Sequence, residues 1–100
     1  MQELPVLGCT LDAAGMAAQR DRYARLAAHV TGTDRAPQRL GVRFDPAVDH
    51  ALLADTLAIE ADCCSFFAIA LEGDTAELTV PRPEMDPALD AIAYALGTGR

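Results

Sequence analysis

The chain has no tryptophan, no lysine and few aromatic residues of any kind. Each shortage excludes something. Without lysine, and with a formal charge of −7 and arginines scattered along the chain, no surface is rich enough in cations to follow a phosphate backbone, so direct nucleic-acid binding is not expected. Arg20, Arg22 and Arg25 form the one local group, and their spacing reads as the solvated face of a helix. No apolar run approaches the ~20 residues that span a bilayer. The opening Met-Gln-Glu-Leu-Pro-Val-Leu-Gly-Cys-Thr lacks the basic start and long apolar stretch of a secretory signal. The expected setting is therefore cytoplasmic, with no membrane partner, where thiols stay reduced. Cysteine is scarce too. Three residues cannot all pair within one chain, which favours reduced thiols, metal ligands or a catalytic group over a disulfide framework.

What remains is rich in Ala, Leu and Val. One hundred residues, 51% of them hydrophobic, suffice for one domain over 1–100 with a helix-rich core that needs no disulfides. Leu4 to Cys9 reads as a short first strand, with Pro5 marking an edge. Thr10 or Asp12 can cap a helix running to about Val30, with Met16, Tyr23, Leu26, Ala27 and Val30 on its apolar side. Thr31 to Gln38 reads as a polar loop full of breakers. Leu40, Val42 and Phe44 alternate as a half-buried strand. Asp45-Pro46 reads as the start of a second helix that ends at Cys63 or Cys64. Phe67, Ile69 and Leu71, then Ala76, Leu78 and Val80, make a hairpin about Gly73-Asp74. Asp86-Pro87 opens a last helix with a stripe of Met85, Leu89, Ile92 and Leu96, stopped by Gly97 and Gly99. The predicted class is α+β: a small, mostly antiparallel sheet with three helices packed on one face, in the order β-α-β-α-β-β-α.

The chemistry concentrates where the second helix gives way to a strand, in Glu60-Ala-Asp-Cys-Cys-Ser-Phe-Phe-Ala-Ile-Ala-Leu71. On a helical wheel Leu53, Leu57, Glu60 and Cys64 fall within about 60° of one another. Leu52, Ile59 and Cys63 widen that arc, while Asp55 and Asp62 point away. Glu60 thus lies on the face to be buried, beside Cys64. An inward carboxylate must be paired, hydrogen-bonded or protonated. Either an arginine meets it, Arg43 being a candidate, or it caps a backbone group, or it binds a cation, moves a proton or orients a thiol. The helix C-terminus and Asp62 disfavour thiolates at Cys63 and Cys64, a balance that a soft cation reverses. Cys9 precedes a predicted helix N-terminus, which favours a thiolate. If the first strand and the end of the second helix share a sheet edge, Cys9, Cys63 and Cys64 converge as a donor set suited to Hg(II), As(III) or Cu(I). Zinc would want a fourth ligand, for which His29 and His50 are the candidates, although neither has ligand spacing to a cysteine and both read as surface residues. Of Phe66 and Phe67, one should enter the core and the other cover a helix, an interface or a ligand.

Three runs of residues carry a family resemblance: Cys9-Thr10-Leu11, Val42-Arg43-Phe44, and Glu60 with Cys63, Cys64, Phe66 and Phe67, followed by Leu78-Thr79-Val80-Pro81. Together they resemble a small domain found alone or at the C-terminus of MerR-type, metal-responsive transcription regulators of actinobacteria. The resemblance implies a binding or sensing module for a thiophilic metal such as mercury, or for a metalloid. In one departure, no DNA-binding helix-turn-helix precedes the matched stretch in these residues. Three functions are carried forward. The first is capture of a soft metal, metalloid or organometal by Cys9, Cys63 and Cys64. The second is a small enzyme in which Cys64 is the nucleophile and Glu60 the proton-transfer partner. The third is a structural domain that dimerises. The expected partner is a small ligand or metal ion, and a homodimer is a further candidate.

Overall fold

The computed structural model describes residues 11–97. In chain order they form helix α1 (Ala13–Ala27), strands β1 (Val30–Ala36) and β2 (Arg39–Phe44), helix α2 (His50–Cys63), strands β3 (Ala68–Glu72) and β4 (Thr75–Thr79), and helix α3 (Asp86–Ala95). The four strands make one antiparallel sheet in the order β1-β2-β4-β3. The α+β class with an antiparallel sheet and three helices is as the sequence predicts. The described order is α-β-β-α-β-β-α, and the strand expected over Leu4 to Cys9 lies outside the described residues.

The sheet shows why its inward face is fixed. Leu40, Val42 and Phe44 of β2 and Ala76 and Leu78 of β4 alternate with outward residues, and Leu40 stands opposite Leu78. A slip of one residue would turn Arg39, Arg43 and Glu77 into the core. On the outer face those charges are paired instead, Arg39 with Glu77 and Arg43 with Asp34, each at 3.0 Å. The helices cover the inner face with Tyr23 and Leu26 from α1, Leu53 and Leu57 from α2, and Leu89, Ile92 and Leu96 around α3.

Four expectations are corrected. The predicted loop Thr31 to Gln38 is mostly strand β1, and the first helix ends at Ala27 rather than Val30, which begins that strand. β1 lies at the sheet edge and carries no apolar alternation, so periodicity could not reveal it. It is held by pairing with β2 and by a tight turn in which Pro37 is followed by Gln38 at φ 62. That left-handed residue is fixed by tertiary bonds: its N–H donates to the Asp86 carboxylate at 3.1 Å and its side chain to the Val80 carbonyl at 3.2 Å.

Helix α2 starts four residues later than Asp45-Pro46 suggests. Asp49 is the N-cap, accepting from the Leu52 N–H at 3.0 Å. Asp45 instead closes a turn, taking the Ala47 N–H at 2.9 Å, which lets Val48 enter the core. Two aspartates competed for one role, and the one that leaves Val48 buried won.

Met16, expected on the apolar side of α1, is 46% exposed, and the buried residues of that helix are Gln19, Tyr23 and Leu26. The last helix does carry the predicted stripe, and Asp86 is its first residue, after a short 3-10 turn over Pro83–Met85. Gly97, at φ 77, follows its end.

Candidate metal centre

The last turn of α2 brings Glu60 and Cys63 to the same buried side, and Cys64 follows as the helix C-cap. All three are buried, with 6%, 3% and 5% of their surface exposed. One ligand atom from each lies within 4.8 Å of the other two, close enough to hold a single metal ion. This is the one such group of histidine, cysteine and acidic residues among the described residues. The two sulfurs are 3.4 Å apart, well beyond the ~2.05 Å of a disulfide bond. The Cys63 thiol also faces the Glu60 carbonyl oxygen at 3.7 Å. Beyond Cys64 the chain turns at once, the Phe67 N–H donating to the Cys64 carbonyl at 3.1 Å. That turn buries Phe67 and sets Phe66 beside it, with ring centroids 4.7 Å apart.

Glu60 is held from α1. Tyr23 donates its hydroxyl to Glu60 Oε1 at 2.8 Å, and Gln19 donates Nε2 to the same oxygen at 3.2 Å. Gln19 Nε2 also donates to the Thr56 carbonyl at 2.9 Å, and its own oxygen accepts from Arg22 at 2.9 Å. The carboxylate therefore meets an arginine only at one remove, through an amide. Burial first, then the neighbouring Glu60 charge and the hydrogen bond to it, push the Tyr23 phenol well above its ordinary range. Tyr23 is accordingly a fixed proton donor at any physiological pH.

Several predicted participants lie elsewhere. Arg43 is on the outer face of the sheet, paired with Asp34, and does not meet Glu60. His29 Nδ1 is 3.1 Å from Asp45, and His50 contacts Asp74, so neither histidine supplies a fourth ligand to the cluster. Cys9, the third predicted thiol, lies outside the described residues. Sequence reasoning missed Gln19 altogether and read Tyr23 only as an apolar contact. The signal was there: Gln19, Tyr23 and Leu26 share one helical stripe, and two polar-tipped residues on it imply a buried acceptor.

A cleft of about 180 Å³ leads from the surface to the cluster. Its walls include Leu11 and Met16 before and on α1, and Ala91, Ile92 and Ala95 on α3, while Glu60 and Cys63 form its buried end. A larger hollow of about 270 Å³ lies on the outer face of the sheet, among the Arg39–Glu77 and Arg43–Asp34 pairs. Both of its arginines are already paired with carboxylates and no thiol lines it, so the smaller cleft is the chemically relevant one. Comparison with protein-family models, curated proteins and solved structures gives no match for this chain.

Proposed function

We propose that the protein is a binding or sensing module for a soft metal or metalloid, held by the thiolates of Cys63 and Cys64 with Glu60 beside them. Cys9 is proposed as a third thiol of the same set. The observation that carries this reading is the buried convergence of Glu60, Cys63 and Cys64 within 4.8 Å. Two sulfurs and one carboxylate form a soft, anionic donor set, which selects thiophilic ions over Mg or Ca. The Tyr23 and Gln19 hydrogen bonds fix the carboxylate before any ion arrives, so little ordering is left to be done on binding. The resemblance to the C-terminal domain of MerR-type regulators supports a sensing rather than a transport role. Binding would release the thiol protons, so affinity rises with pH.

The test is titration of the reduced protein with Hg(II), As(III), Cu(I) and Zn(II), counting cysteines shielded from alkylation. Shielding of Cys63 and Cys64 by at least one of the thiophilic ions is expected. Equal reactivity of every cysteine with every ion present would refute the proposal.

A further inference from the structure

We infer that the ligand of this site is a trivalent arsenical carrying one aromatic group, with arsenic on Cys63 and Cys64 and the ring in the cleft between α1 and α3. The inference rests on the soft-metal reading and narrows it to one chemical class.

The first argument is the spacing of the sulfurs. With metal–sulfur bonds of about 2.3 Å, a linear two-thiolate centre needs its sulfurs about 4.6 Å apart and a tetrahedral one about 3.8 Å. A pyramidal centre with angles of about 95° and bonds of about 2.3 Å needs about 3.4 Å. The sulfurs of Cys63 and Cys64 stand at 3.4 Å. Both side chains are buried, so opening that distance means turning a sulfur within packed surroundings. A trivalent centre with a lone pair therefore fits the spacing as it stands, whereas a linear one would require the sulfurs to move apart by about 1.2 Å.

The second argument is what surrounds the third position of such a centre. Cys63 and Glu60 open onto a cleft whose apolar walls are Leu11, Met16, Ala91, Ile92 and Ala95, with Gln19, Arg20 and Tyr23 of α1 as its polar lining. A hydroxyl or water on arsenic would have to compete with Glu60 for Gln19 and Tyr23, which already donate to its carboxylate, while the remaining aliphatic walls offer it no partner. An aryl group would fit, since cavities of about 150 Å³ take up benzene and this cleft offers about 180 Å³. Met16 is flexible and polarisable, and half exposed, so it can close over a ring.

The reaction balances without a redox partner. Two As–O bonds of R–As(OH)2 break, two As–S bonds form, and both thiol protons leave with the hydroxyls as two waters. Arsenic stays trivalent throughout. Glu60 stands next to both sulfurs and can carry a thiol proton to the departing hydroxyl.

The experiment uses the full chain and its Cys9→Ser variant, with phenylarsonous acid, arsenite and Hg(II) as probes. Readouts are intact mass, alkylation of Cys63 and Cys64, and calorimetric affinity. One phenylarsenic per chain, joined with loss of two waters, should shield both cysteines equally in the wild type and in Cys9→Ser. In Cys9→Ser its affinity should exceed that of arsenite by on the order of tenfold or more, from burial of the ring. Ala91→Phe and Met16→Glu, both at exposed positions, should each remove that preference while Hg(II) binding is kept. Arsenite binding as tightly as phenylarsonous acid in Cys9→Ser, or a preference untouched by both wall variants, would overturn the inference. Shielding by Hg(II) without shielding by the arsenical sinks this inference and leaves the soft-metal reading standing. No shielding by any probe sinks both.

Discussion

Replacing Tyr23 by Phe removes one oxygen atom from the interior and tests whether the α1–α2 seam is organised by Glu60. The ring is 3% exposed and its partner 6%, so neither group can fall back on water when the 2.8 Å bond is lost. Hydrogen bonds to charged groups contribute roughly 1.5–3 kcal/mol net, and at such burial the whole of that range applies without discount for screening. For a chain of this size, ~2 kcal/mol lowers Tm by roughly 8–16 °C. A second signature lies at alkaline pH. The folded-state pKa of Tyr23 is raised well above the usual 10, so between the two values the unfolded chain loses a proton that the folded chain keeps. Stability contributed by this group is complete below pH ~10 and declines above it, by about 1.4 kcal/mol per pH unit. Tyr23→Phe should be the less stable protein at pH 7 and should show a shallower decline above pH ~10. Urea denaturation followed by far-UV circular dichroism, at pH 7 and in steps above pH 9, measures both. A variant as stable as the wild type at pH 7, with the same alkaline slope, would show that the hydroxyl does not hold the carboxylate.

Glu60→Gln retains an acceptor for Tyr23, so it should fold, and its affinity for thiophilic ions should fall by roughly ten- to a hundredfold; unchanged affinity by calorimetry removes Glu60 from the site. Should the same variant bind an organometal normally yet fail to release its organic group as the wild type does, the enzymatic role of Glu60 would be supported instead. Asp49→Ala should lower stability by about 1 kcal/mol through loss of the α2 cap, whereas Asp45→Ala should leave the start of α2 in place; amide exchange at Leu52 and Leu53 separates the two. Gly73→Ala should destabilise by about 1–2 kcal/mol from the left-handed backbone alone, because no atom lies within 4 Å of an added Cβ; Gly73→Asn should be milder in the same thermal melt.

Where side chains repeat with a clear period, the sequence revealed the fold. Strand β4, the inward face of β2 and the stripe of α3 follow from alternation or helical spacing, since burial selects those positions directly; β3 was found by the same alternation although Ile69 is only half-buried and Leu71 is 39% exposed. The first hairpin was hidden because β1 pairs at an edge, where backbone hydrogen bonds and the Gln38 turn replace apolar alternation as the organising force. The start of α2 was ambiguous because Asp45 and Asp49 can both accept a helix N–H, and only the packing of Val48 decides between them. The inward placement of Glu60 with Cys63 and Cys64 was legible from the wheel. Its partners were not, since the wheel of one helix says nothing about which face of another it meets.

The helices that meet over this sheet are rich in alanine and leucine, and such surfaces admit several arrangements of nearly equal energy. Sliding α1 along α2 by one turn, about 5.4 Å, would exchange one small apolar contact for another. It would also carry Tyr23 and Gln19 away from Oε1 and from the Thr56 carbonyl, stranding a buried carboxylate at a cost of several kcal/mol. Glu60 therefore acts as a registration pin, singling out one alignment of two otherwise forgiving helices and fixing where the cysteine-bearing end of α2 meets the cleft.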